Sequence, residues 1–201
     1  FGIESEHEFA VVEIGSNAPG EVSALSRIAG PNIAVITNVG LSHLEGLKDI
    51  EGVIAEKASI VVGLKKRGLI VCGADDEKMV EKLRALSRPM ITYGLKDDCD
   101  VNSIDVQREN GGFRYFTNDR CEVVLGTTGL HNVKNSLAAL AVARRLGISS
   151  QQFAEAIKDF EPVVGRMNSK DVNGITIIDD TYNANPESVR VAMDELIVRE
   201  D

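Results

Sequence analysis

Several stretches of this sequence place ionisable or carboxamide side chains directly after an apolar run or at the mouth of a helix. Glu13 follows Phe9-Ala10-Val11-Val12 and precedes Ile14-Gly15. A carboxylate in that place can hold Mg2+ directly or through water, or it is a strand-end charge in solvent. His43 comes a few residues after the run Ile33 to Thr37 and reads either as a ligand or as a surface or capping residue. Lys57, in Ile54-Ala55-Glu56-Lys57-Ala58-Ser59-Ile60, reads from its setting as a surface lysine whose stem lies along a helix. Asn132 and Asn135 are three apart, hence on one face of a helix's first turn. Each carboxamide carries a donor and an acceptor and can read an adenine edge, although Asn132 equally suits a plain N-cap. Arg166, in Gly165-Arg166-Met167, can clamp a phosphate or pair with a carboxylate. Finally DDTYNANP, Asp179 to Pro186, follows the apolar run Ile175 to Ile178. It reads as a strand-to-helix turn, or as polar groups held at the carboxyl end of a strand, where open α/β sheets bind ligands.

The elements that must position these groups alternate. Short apolar runs at Glu8–Ile14, Asn32–Thr37 and Gly68–Cys72 read as buried strands, separated by helices from Pro19 to Ile28 and from about Asp49 to Leu64. This rhythm predicts a mostly parallel sheet flanked by helices. After Met90–Gly94 the character changes. Val101–Gln107, Gly112–Thr117 and Cys121–Gly126, separated by Asn-Gly-Gly and Asn-Asp turns, predict a small antiparallel appendage. Helices are expected over Ser136–Leu146 and Gln151–Phe160, then a hinge at Glu161–Gly165, a hairpin of Asn168–Val172 with Ile175–Ile178, and a last helix from Pro186.

Composition narrows the function classes. With 201 residues, 43% of them hydrophobic and 26% charged, the chain has the makings of a folded core rather than a disordered tail. A net charge of −9 argues against a nucleic-acid surface spread over the whole chain. Cys72, Cys99 and Cys121 are odd in number and lack CxxC spacing, which suits reduced thiols in a cytoplasmic protein. No apolar run approaches the roughly 18 residues a membrane span needs, so no membrane partner is expected. Neither GxxxxGK[ST] nor GxGxxG is present, which removes a P-loop from these residues and disfavours a nicotinamide enzyme. Phe1 is not a start methionine, and the chain is expected to be a fragment or a processed product.

Taken in order, VVEIGSNAPGE, ITNVGLSHLEGL, IAEKASIV, GLHNVKNSLAALAVA, VVGRM and IIDDTYNANPES resemble the Mur ligase family, the ATP-dependent amide ligases of peptidoglycan synthesis. The resemblance implies a central ATPase domain over residues 1–162, its P-loop lying upstream, and the beginning of a Rossmann-like C-terminal domain over 163–201. The pairing of EIGSNAPGE with DDTYNANP implies the activity that adds D-alanyl-D-alanine to UDP-N-acetylmuramoyl-tripeptide through an acyl phosphate. It also implies a monomer whose isolated 201-residue piece is inactive.

By residue, the resemblance implies Glu13 and His43 as Mg2+ ligands and Lys57 as a third, once CO2 has converted its amine to a carbamate. It further implies Asn132 and Asn135 beside the adenine of ATP, Arg166 on a phosphate and Asp180 on the ribose. Asn183, Asn185 and Tyr182 would lie beside the incoming dipeptide. The alternatives are another ligase of this type, resembling folylpolyglutamate or cyanophycin synthetase, or a non-catalytic binding module of the same fold.

Overall fold

The computed structural model describes residues 2–40, 44–109, 111–182, 184 and 186–199. Helix α1 (Glu21–Ala29) precedes strand β1 (Ile33–Ile36). Helices α2 (Leu44–Leu47) and α3 (Ile50–Ala58) follow, the latter running into a 3-10 turn over Ser59–Val62, and lead to β2 (Leu69–Gly73). Helix α4 (Glu77–Arg84) leads to β3 (Met90–Gly94), and β4 (Val101–Glu109), β5 (Gly112–Thr117) and β6 (Glu122–Leu125) come next. Helices α5 (Leu130–Arg145) and α6 (Ser150–Ile157) precede the hairpin β7 (Asn168–Val172) and β8 (Ile175–Asp179), which is followed by α7 (Pro186–Arg199).

The first six strands form one sheet in chain order, β1 to β4 parallel and β4 to β6 antiparallel. The antiparallel strands therefore extend the parallel sheet instead of standing beside it. The join is narrow, since β3 and β4 share only the pairs Tyr93 with Val101 and Gly94 with Asn102. Strand β2 shows why the sheet is a middle layer. Its side chains alternate between faces, yet Leu69, Ile70, Val71 and Cys72 are all buried. Leu69 and Val71 pack with Leu137, Leu140 and Phe153 from α5 and α6, while Ile70 and Cys72 pack with Ile54, Met79 and Leu83 from α3 and α4.

One expectation fails here, and one helix was not foreseen. Glu8–Ile14 is irregular and outside the sheet, with Val11 at 99% exposure. A strand buried on both faces needs a ladder partner and two covering layers, and β1, at the edge of the sheet, pairs only with β2. Helix α4 was not anticipated, because its sequence EKMVEKLR looks like a polar connection. Its apolar residues Met79, Val80 and Leu83 nevertheless share one buried side, and Asp76 caps it by accepting from the Met79 amide at 2.9 Å.

Helix α3 is tied to α1 by a buried charge. The Glu56 carboxylate, in a residue 5% exposed, accepts from the Gly20 amide at 2.7 Å, the Val22 amide at 2.8 Å and the Ser16 hydroxyl at 3.0 Å. It thus satisfies N–H groups at the start of α1 that have no partner within the helix, at the positive end of its dipole. Replacing Glu56 by Gln would set a carboxamide NH2 against these donors. The expected loss of stability is about 1–3 kcal/mol, read from urea unfolding midpoints. A midpoint equal to that of the native chain would show that the three bonds contribute nothing net.

Candidate functional site

Strands β1, β2 and β3 run in parallel and end at one edge, so the residues after them gather there. A cleft of about 520 Å3 opens along this edge. Thr37 and Asn38 form one side, Gly73 and Asp75 the floor, and the first turn of α5 the opposite side. Helix α7 covers it with Arg190, Asp194 and Glu195.

The first turn of α5 divides its carboxamides. Gly129, and not Asn132, occupies the N-cap, because the helix begins at Leu130, well ahead of the expected Ser136. Asn132 turns back instead, donating from Nδ2 to the Thr128 carbonyl at 2.7 Å and to Thr127 Oγ1 at 3.3 Å. Asn135 lies on the same face, donates to Asn132 Oδ1 at 3.4 Å, and lines the cleft. Lys134, between them, pairs with Asp75 across the cleft floor.

The residues from Gly165 onward form a second cluster. The Arg166 guanidinium stacks on the Tyr182 ring, 4.1 Å from its centroid. The Tyr182 amide donates to the Gly165 carbonyl at 2.9 Å, and Asp180 Oδ1 accepts from the Met167 amide at 3.2 Å. Gly165 permits this approach. Its φ is +78°, and a Cβ there would lie 3.1 Å from the Tyr182 nitrogen. Asp179 closes a small turn, accepting from the Thr181 amide at 3.2 Å and hydroxyl at 2.7 Å. These bonds hold its carboxyl below the usual range.

Lys57 is half-buried on α3, and its Nζ donates to the Asn38 carbonyl at 2.7 Å and to Asn38 Oδ1 at 3.4 Å. Ile14, Gly15 and Ser16 share a cavity of about 140 Å3 with Lys57 and Glu56, so the segment carrying Glu13 does reach the Lys57 neighbourhood. Glu13 itself is exposed. His43, Asn183 and Asn185 lie outside the described residues. Carboxylate and carbamate oxygens suit a hard cation by type, whereas an imidazole nitrogen is a softer ligand. Among the described residues, however, no group of three or more His, Cys, Asp or Glu side chains could hold a metal ion. The Lys57 amine, moreover, is engaged with Asn38.

Sequence reasoning overlooked His131, Arg108 and Glu195. Glu195 of α7 is buried and pairs with Arg108 of β4, whose guanidinium also lies 5.0 Å from the Phe113 centroid. The pair fastens α7 over the cleft. Nothing in the spacing marks it, since the partners are 87 residues apart. Its one local signal is an acidic pair, Asp194 and Glu195, set between Met193 and Leu196-Ile197.

A family model for the Mur ligase middle domain matches residues 2–143. The UDP-N-acetylmuramoyl-tripeptide--D-alanyl-D-alanine ligase of Haemophilus influenzae is 31% identical over 196 residues, covering 96% of this chain and 43% of the relative. A crystal structure of MurF from Acinetobacter baumannii superposes with a TM-score of 0.90 at 29% identity, over 97% of this chain and 44% of that one. The MurF ligase of Thermotoga maritima in complex with ADP superposes with a TM-score of 0.82 at 26% identity, over 92% of this chain and 43% of that one. The chain thus spans under half the length of the relatives it matches. No helix among the described residues is long and apolar enough to cross a membrane.

His131 lines the cleft, and its Nδ1 is buried with no hydrogen-bond partner. Burial lowers its pKa below the ordinary value, Asp180 and Glu195 oppose that, and Lys134 adds to it. The unfolded chain therefore takes up this proton first as the pH falls. The associated stability is complete above about pH 6.5 and is lost as the pH drops through the folded-state value. Between pH 7.5 and 5.5 the unfolding midpoint of the native chain should fall further than that of His131→Gln. Equal falls would assign the effect to another group.

Proposed function

The chain belongs to the Mur ligase family, and on that premise we propose that it is part of an ATP-dependent amide ligase joining D-alanyl-D-alanine to UDP-N-acetylmuramoyl-tripeptide. Residues 1–162 are read as most of the central ATPase domain and 163–201 as the start of the C-terminal domain of a monomeric, cytoplasmic enzyme. The observation that carries the proposal is the cleft at the carboxyl edge of the parallel strands. It is walled by the start of α5 and capped by α7, within a fold matched across nearly the whole chain by ligases of that specificity.

In this reading the cleft takes the adenine nucleotide. Asn135 presents a carboxamide to the base, with Asn132 holding the loop beneath it through Thr128. The Asp180 carboxylate accepts from the ribose hydroxyls, and Arg166 meets a phosphate, its plane already fixed by the Tyr182 ring. Tyr182, Asn183 and Asn185 border the dipeptide. The γ-phosphoryl group passes to the tripeptide carboxylate, releasing ADP. The dipeptide amine then attacks the acyl phosphate, forms the amide and expels phosphate, its own proton passing to solvent. Gathering both reactants under α7 supplies orientation. Mg2+ ligation by Glu13, His43 and a carbamylated Lys57 is proposed on residue type alone. A bound cation would offset the charge accumulating between two anions.

Two outcomes follow. The isolated 201-residue chain, given ATP and both substrates, should release no ADP above background, whereas the longer parent should; clear turnover by the isolated chain would refute the reading. In the parent, Asp180→Ala should raise KM for ATP about tenfold, as expected for loss of a hydrogen bond to a charged group, with KM for the dipeptide little changed. The reverse pattern would move Asp180 to the dipeptide side.

A further inference from the structure

We propose that Tyr93 is a positioning residue for the Lys57 amine, acting through the backbone at the end of β1. The inference rests on reading Lys57 as a site residue. Tyr93 is 1% exposed on β3, and its phenol donates to the Thr37 carbonyl at 2.9 Å and lies 3.3 Å from the Ile36 carbonyl. Strand β3 is not a neighbour of β1, so the phenol must reach across the end of β2. It crosses at Gly73, where a Cβ would sit 2.8 Å from the Thr37 oxygen and 3.4 Å from the Tyr93 hydroxyl.

The ladder between β1 and β2 ends at the pair Ile36 and Cys72. Beyond that point the phenol takes over the role of a ladder donor and sets the direction of the Thr37 carbonyl. The next residue, Asn38, presents both its carbonyl oxygen and its Oδ1 to Lys57 Nζ. Two acceptors on one residue tie the direction of the amine to that residue's backbone. The direction of the Thr37 carbonyl is set by that residue's ψ, and a change in this angle carries Asn38 and both of its acceptors with it. Burial, with Cys72 and Asp75 adding to it, pushes the phenol's pKa well up, so it remains a donor. If Tyr93 only filled the core, its ring would suffice and the hydroxyl would be idle.

Two substitutions disturb this carbonyl by different means. Tyr93→Phe removes the donor and keeps the ring, and Gly73→Ala displaces the carbonyl while leaving the phenol. The 201-residue chain is treated with limiting acetic anhydride, and the labelling of Lys57 relative to exposed Lys66 is read by peptide mass spectrometry. Both variants should raise that ratio about fivefold, the factor expected for losing one ordinary hydrogen bond. A ratio unchanged in both would overturn the proposal. Circular dichroism checks that each variant is folded, since unfolding alone would expose Lys57 and raise the ratio; if Tyr93→Phe unfolds the chain, the ratio in folded Gly73→Ala decides. A parallel 13C spectrum in labelled bicarbonate should show a Lys57 carbamate in the native chain and a weaker one in both variants. If the native chain gave no carbamate while the labelling ratio still responded, the carbamate reading would fail and the positioning role would stand.

Discussion

A carboxylate as buried as that of Glu56 is tolerated only because three donors converge on it from Ser16, Gly20 and Val22. That convergence fixes α3 against the start of α1, and it also fixes what comes next in the chain. Lys57 leaves the helix about 100° further round, so orienting Glu56 toward α1 commits Lys57 to the end of β1. Adjacent charges of opposite sign on one helix thus hold two neighbouring elements at once. The segment before α1 has no strand pairing of its own, and its place beside Lys57 derives from the same contacts.

The sheet supplies the other half of the frame. With α3 and α4 on one face and α5 and α6 on the other, every side chain along β2 is enclosed, leaving only the strand ends for polar chemistry. The loops after β1 and β2 therefore meet at a common edge. Helix α5 enters that edge from the far face and brings Asn132, Lys134 and Asn135 with it. The Arg108 and Glu195 pair then closes α7 over the opening. The Glu195 side chain is buried while that of Arg108 is 36% exposed, so the guanidinium chiefly offsets the cost of taking the carboxylate out of water.

Much of this was legible in the residues. The runs that became β1 and β2 are apolar throughout, β2 being covered on both faces, and their ends are marked by Gly, Asn and Asp. The hairpin of β7 and β8 was announced by Asn173-Gly174, both of which adopt positive φ. Glu8–Ile14 has the same apolar character as β1 and yet forms no strand, since a strand exists only through hydrogen bonds to a neighbour. Helix α4 was hidden because only three of its eight residues are apolar, and their clustering matters only when a sheet is there to receive them.

For the site the division is similar. Asn132 and Asn135 share a helical turn, and Arg166 meets Asp180 and Tyr182 at the open end of one hairpin, so local geometry is enough to bring each set together. That His131 lies within the field of Asp180, that Arg108 holds Glu195, and that Tyr93 reaches Thr37 across Gly73 are matters of which strand lies beside which. The sequence by itself determined the alternation of elements, the polar groups at their ends and the family resemblance, because these depend on side-chain type and short-range spacing. Only the tertiary structure decided which of those ends face one another and which buried charges are satisfied, because burial and long-range hydrogen bonding do not exist until the layers have packed.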